Sequence, residues 1–232
     1  LVILSGERLA AFYYIGLFAI YFILTKKYFL KFSALIIIFL VASIAYKPVI
    51  IDRFYKDTIR QISQTGSVFS YRHTLHYKTA YDMFLDKKIL GHGLKSFRYK
   101  CSDKRYENKI REKQELDLNK KNSGYITEYK NGCNTHPHNI YFEFLSELGI
   151  VGIIFILLML LFTTYQLAYN LQKNIFKKNL SDIEVGKSLI LAGIFLQLFP
   201  LVPSGSYFTN WMMIIFHLSI GFYLSTLSHK ND

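Results

Sequence analysis

The sequence predicts an all-α fold, a polytopic transmembrane helix bundle with one long periplasmic loop that contains an amphipathic helix. Three observations predict it. Of the 232 residues, 51% are hydrophobic and 17% aromatic, and the apolar residues fall in blocks close to membrane length. The charges lie between those blocks rather than among them, as in spans joined by polar loops. Finally, two of the short loops are basic, which orients the chain. The expected organisation is a single membrane domain over 1–232, the C-terminal part of a larger protein, because the start carries no initiator Met and no secretory signal.

The first span is expected over 9–24, which is short for a bilayer and so tilted or begun earlier. A basic turn with Lys26, Lys27 and Lys31 follows. The second span covers 32–51, interrupted by Lys47 and Pro48, with Lys47 close enough to the end to snorkel. The polar segment 52–135 comes next, then a third span over 138–165. A second basic loop holds Lys173, Lys177, Lys178 and Lys187. The fourth span is expected over 188–202 and the fifth over 207–227, with Trp211 at its start as an interface aromatic. The positive-inside rule puts both short basic loops in the cytoplasm, so counting spans places Arg8, the 52–135 loop and Pro203–Ser206 outside.

Within the long loop, Val68–Ile89 carries apolar residues at mixed three- and four-residue steps, which predicts an amphipathic helix at the membrane interface. Gly91-His92-Gly93 ends it in a turn. Lys104–Lys130 is highly charged and reads as a mobile excursion. The two cysteines, Cys101 and Cys133, both lie in this loop. An oxidising compartment would join them, closing a loop of about 30 residues worth ~3–4 kcal/mol in the chain-entropy model. Two unrelated thiols are the alternative.

The formal net charge of +12 fits nucleic acid, anionic lipid or a phosphorylated substrate. No nucleic-acid motif is present, and spans make nucleic acid the least favoured partner. Part of the charge is only topology signal in the short loops.

Chemistry concentrates where the loop meets the third span, in Thr135-His-Pro-His-Asn-Ile-Tyr-Phe-Glu-Phe-Leu-Ser-Glu-Leu-Gly149. Pro137 suits a helix start, and Asn139, Glu143 and Glu147 at four-residue steps share one helical face. Carboxylates at a span's mouth usually face a polar cavity. A histidine here is a base near neutral pH; interfacial capping without chemistry is the plain alternative. His136 and His138 lack the third ligand that a metal site needs, so neither metal nor cofactor is expected. Arg8 reads by itself as an interface anchor and Arg72 as a solvated charge. The expected topology, however, puts Arg8, Arg72 and His138 on one side of the membrane, where two guanidinium forks suit a diphosphate.

These elements run in an order that resembles the C-terminal half of the bacterial O-antigen ligase and polymerase family. Ser5, Gly6 and Arg8 open a span, and Arg72 heads a periplasmic helix. Asp86, Leu90, Gly91, Gly93 and Phe97 match the glycine-rich turn. His136, His138, Asn139, Tyr141, Leu145, Glu147, Gly149 and Gly152 match the entry into the next helix. The resemblance implies a metal-independent membrane glycosyltransferase of the bacterial inner membrane, multi-pass, with its active site facing the periplasm. It implies a polyprenyl-diphosphate-linked glycan as donor and a glycan, lipid A core or protein hydroxyl as acceptor, among membrane lipids. By the same resemblance Arg8 and Arg72 clamp the diphosphate, His138 is the base, and His136, Asn139 and Glu147 support it. A polymerase of the same family and a transporter of lipid-linked sugars are the alternatives. The transporter needs polar residues deep in several spans, and Gln197, Asn210 and His217 are thin support.

Overall fold

The computed structural model describes residues 8–25, 34, 37–38, 41, 55–65, 69–107, 132–176 and 181–228. Among them it is all-helical, with seven α-helices and a short 3-10 turn, and no strand. The helices are α1 (Arg8–Thr25), α2 (Asp57–Thr65), α3 (Tyr71–Asp86), α4 (Phe97–Lys100), α5 (Ile140–Phe176), α6 (Asp182–Gln197) and α7 (Asn210–Ser228). The expected second span apart from residues 34, 37–38 and 41, the residues Ser5, Gly6 and Glu7, and 108–131 lie outside the described residues. The chain forms two compact units. One comprises Leu1–Gln64, Met159–Val202 and Ile214–Asp232, the other Thr65–Leu158 and Pro203–Met213.

In the first unit α1 packs on α6. Gly16 leaves room for Leu196, which lies 3.0 Å from where a β-carbon would stand. Phe12 meets Phe199 at 5.8 Å between ring centroids. Ile15, Phe18 and Ile23 of α1 remain exposed, which suits a lipid-facing surface. Arg8–Thr25 and Ile140–Lys173 are long and apolar enough to cross a membrane, with mean hydropathies of 1.6 and 2.6.

Helix α6 starts six residues before the expected span. Ser181 caps it, its hydroxyl accepting from the Glu184 amide while the Glu184 carboxylate accepts from the Ser181 amide. This reciprocal box satisfies two otherwise orphaned donors and carries the helix through Lys187. The helix stops at Gln197 rather than at 202, because Pro200 disfavours helical backbone at Phe199. The last helix begins at Asn210 rather than Tyr207, whose amide instead donates to Glu143 Oε2 at 2.7 Å.

In the second unit Ser70 caps α3, accepting at Oγ from the His73 amide. The buried face of α3 comprises Leu75, His76, Tyr77, Thr79, Ala80 and Met83. Tyr77 stacks on Phe142 of α5 with centroids 4.6 Å apart and planes 2° from parallel. Ala80, Met83, Phe97, Cys101 and Tyr106 form the buried core beside it. Cys101 and Cys133 are joined there by a disulfide, with Cα atoms 5.0 Å apart. The helix expected to lie at a membrane interface therefore has a protein-buried face.

The start of α5 is broken rather than continuous. Gly149 has φ 64° and ψ −149° inside the helix, so its hydrogen-bond ladder is interrupted. The turn 88–93 fills the gap from both sides. Lys88 O accepts from the Ile150 amide at 2.8 Å and Ile89 O from the Val151 amide at 3.4 Å, which caps the following segment. In return the His92 and Gly93 amides donate to Ser146 O and Glu147 O at 3.1 and 2.8 Å. A β-carbon on Gly91 would strike the Glu147 backbone, and one on Gly149 the Lys88 and Ile89 carbonyls. Both glycines also have φ +64°, a conformation that side-chain-bearing residues disfavour.

Candidate functional site

Helix α5 begins at Ile140, two residues after the expected start. Asn139 caps it, with Oδ1 accepting from the Tyr141 amide at 3.0 Å. His138 therefore sits just outside the helix with φ +57°, a left-handed conformation that costs a residue with a β-carbon roughly 1–2 kcal/mol. Its carbonyl is held by the Ser204 amide at 3.0 Å.

Four imidazoles gather at this point. The His138 centroid is 4.1 Å from His136, 5.4 Å from His73 and 5.4 Å from His76. His73 and His76 come from α3, one turn apart, and are the residues that sequence reasoning missed. In the sequence they fall at polar positions between the apolar ones of this helix; the available signal is their i, i+3 spacing beside Arg72. Among the described residues no group of three His, Cys, Asp or Glu side chains is placed to hold a metal ion.

Burial keeps the cluster neutral. His73 is lowered to about 4, first by burial and then by the charges His138 and His76 would carry. His136 is likewise lowered to about 4 by burial and by His138, opposed by a backbone contact at Ser204. Burial also lowers His138, with His76 adding to it. His76 is lowered by burial and by the Arg72 charge, against a raising bond to Gly132. In that bond His76 Nδ1 donates to the Gly132 carbonyl at 2.8 Å, leaving Nε2 as the acceptor.

Arg72 is exposed on the first turn of α3, close enough for its charge to act on His76. Arg8 belongs to the other unit, where its guanidinium donates to Thr58 of α2 at 3.0 Å. The second unit thus brings together His138, His136, Asn139 and Arg72, with His73 and His76 beside them. Glu147, 1% exposed, stands elsewhere, with Oε1 accepting from the Phe97 amide at 3.1 Å and Oε2 from the Lys95 amide. Glu143, 2% exposed, accepts in the same way from the Ser206 hydroxyl and the Tyr207 amide. Both carboxylates tie loops to α5. That is a supporting role through the backbone rather than through the histidines.

The arrangement offers a neutral base among imidazoles with a guanidinium alongside, a combination suited to taking a proton near an anionic leaving group. No curated protein and no solved structure matches the chain significantly. The model of the O-antigen ligase family matches residues 1–157, a stretch that ends within α5 and contains the histidine cluster, the glycine-rich turn and the broken helix. By that match over more than half its length, the chain belongs to the O-antigen ligase family, a family of membrane glycosyltransferase-like enzymes.

Proposed function

We propose that the chain is the glycan-transferring part of a multi-pass inner-membrane enzyme, acting on the periplasmic side. Its donor is a glycan on a polyprenyl diphosphate. Its acceptor is a hydroxyl of lipid A core, of a growing polysaccharide or of a protein. The carrying observation is His138, neutral and held at the mouth of α5 among His73, His76 and His136, with Arg72 on the neighbouring helix. The acceptor oxygen attacks the anomeric carbon as its proton passes to His138. The bond from that carbon to the diphosphate breaks, and its electron pair leaves on the phosphate oxygen. Arg72 neutralises that charge as it develops. Arg8 joins this role on the family resemblance, and the 52–135 loop is periplasmic in this reading.

The test is glycan transfer in cells by the full-length protein carrying His138→Ala or Arg72→Ala, with membrane expression checked. Each variant is expected to lose at least a hundredfold of transfer, within the range usual for general bases and charge-stabilising donors. Parental transfer by His138→Ala would overturn the reading and bring a lipid-linked sugar transporter forward.

A further inference from the structure

The ring of His138 has a hydrogen-bond partner in a residue that the family motif does not include. Asn134 lies within hydrogen-bond distance of His138 Nε2, at 2.9 Å from its side-chain nitrogen. Its orientation is fixed independently. The Thr135 amide donates to Asn134 Oδ1 at 2.7 Å, and a backbone N–H can only donate. The Asn134 oxygen is therefore spent on the chain, and its NH2 group points at the imidazole. An NH2 group can only donate, so Nε2 of His138 is the acceptor nitrogen and the ring proton resides on Nδ1.

We propose that Asn134 is a positioning residue that sets the tautomer of His138 and presents Nε2 as its basic nitrogen. This rests on the reading of His138 as the base. Asn134 also guards that lone pair, since the acceptor hydroxyl displaces the amide when it approaches Nε2. The hydrogen bond favours the neutral ring, in the same direction as the surrounding groups. Those groups are His73 and His76 from α3, with the Arg72 charge acting on His76, and His136 from the loop, with the Arg98 charge acting on it. Among the described residues, burial and the charge His76 would carry are what act on His138 itself. The disulfide at the adjacent Cys133 ties the segment to the core of the unit, so Asn134 is delivered from an anchored position although it is itself exposed.

The test is the pH profile of transfer by the full-length protein in membranes that carry the cell's own lipid-linked glycan. Asn134→Asp puts an acceptor opposite Nε2, which draws the ring proton to that nitrogen and favours the imidazolium. The acid limb is expected to move up by about one pH unit, with at least a tenfold loss of transfer at neutral pH. Asn134→Leu removes the donor without adding charge, and its acid limb is expected to move up by less, with a loss under tenfold. If both variants keep the parental profile, whatever their overall rate, Asn134 is merely structural and the proposal falls. Should the aspartate variant fail to reach the membrane, the profile of the leucine variant decides alone. The parent reading fails separately: His138→Ala would then transfer normally, whereas a failure confined to Asn134 leaves the His138 variant inactive.

Discussion

A histidine's identity says little about its protonation until its neighbours are known. His73 and His136 are each lowered to about 4 by burial first and by other imidazoles second. In the unfolded chain both return to the ordinary value near 6.5. Between about 4 and 6.5 the unfolded state then binds more protons than the folded one, so stability rises with pH across that window. The expected outcome is a melting temperature that is constant above pH 6.5 and falls as the pH drops toward 4. The double variant His73→Gln/His136→Gln in detergent should show a flatter profile, and an equally steep one would place the acid sensitivity elsewhere. The sequence announced His138 and His136 by their setting before a helix. It did not announce His73 and His76, because a polar residue at a helical step looks alike whether it meets water or another histidine. Only the packing of α3 on the start of α5 separates the two cases.

At the scale of elements, the glycine-rich turn and the helix it serves form one device. The legible part was the motif: Gly91, Glu147 and Gly149 were readable as a resemblance, α3 as periodicity and most of α5 as an apolar run of membrane length. The interruption was not legible, because Leu148-Gly149-Ile150 continues an apolar helical pattern. What breaks the ladder is the tertiary insertion of Lys88 and Ile89 carbonyls at Ile150 and Val151. Capping chemistry likewise moved the start of α6, where the Ser181–Glu184 box overrides a boundary drawn from charge. Gly149→Ala tests the device. It forces a β-carbon into a left-handed position, at roughly 1–2 kcal/mol, and drives it against two carbonyls that then lose their amide partners. The expected total is about 3 kcal/mol or more. That should appear as a marked fall in melting temperature and in membrane yield. Gly186→Ala, where a β-carbon meets open space, should leave both unchanged. Equal behaviour of the two variants would mean that the turn and α5 are not coupled in this way.

For the whole molecule, the chain divides into a unit that exposes many apolar side chains and a unit with a small core of its own. The first unit holds α1, α6 and most of α7, and exposes apolar side chains such as Ile15 and Leu218. The second has a small core of Ala80, Met83, Phe97, Cys101 and Tyr106, and Cys101 is at once a core residue and half of the disulfide. A core of that size gains from a cross-link that restricts its unfolded chain. The bond spans a separation of 32 residues, and such a loop is worth ~3–4 kcal/mol in the chain-entropy model. Its loss should therefore be local. Under reductant, the parent is expected to become protease-sensitive between 69 and 107 while α1 and α6 stay protected. The double variant Cys101→Ala/Cys133→Ala should be sensitive from the start and indifferent to reductant. Transfer should fall in step with that sensitivity, because Cys133 anchors the strand of chain that carries Asn134, His136 and His138. If reduction instead opened both units together, the division would not be one of stability, and the histidine cluster would depend on the membrane helices as much as on its own core.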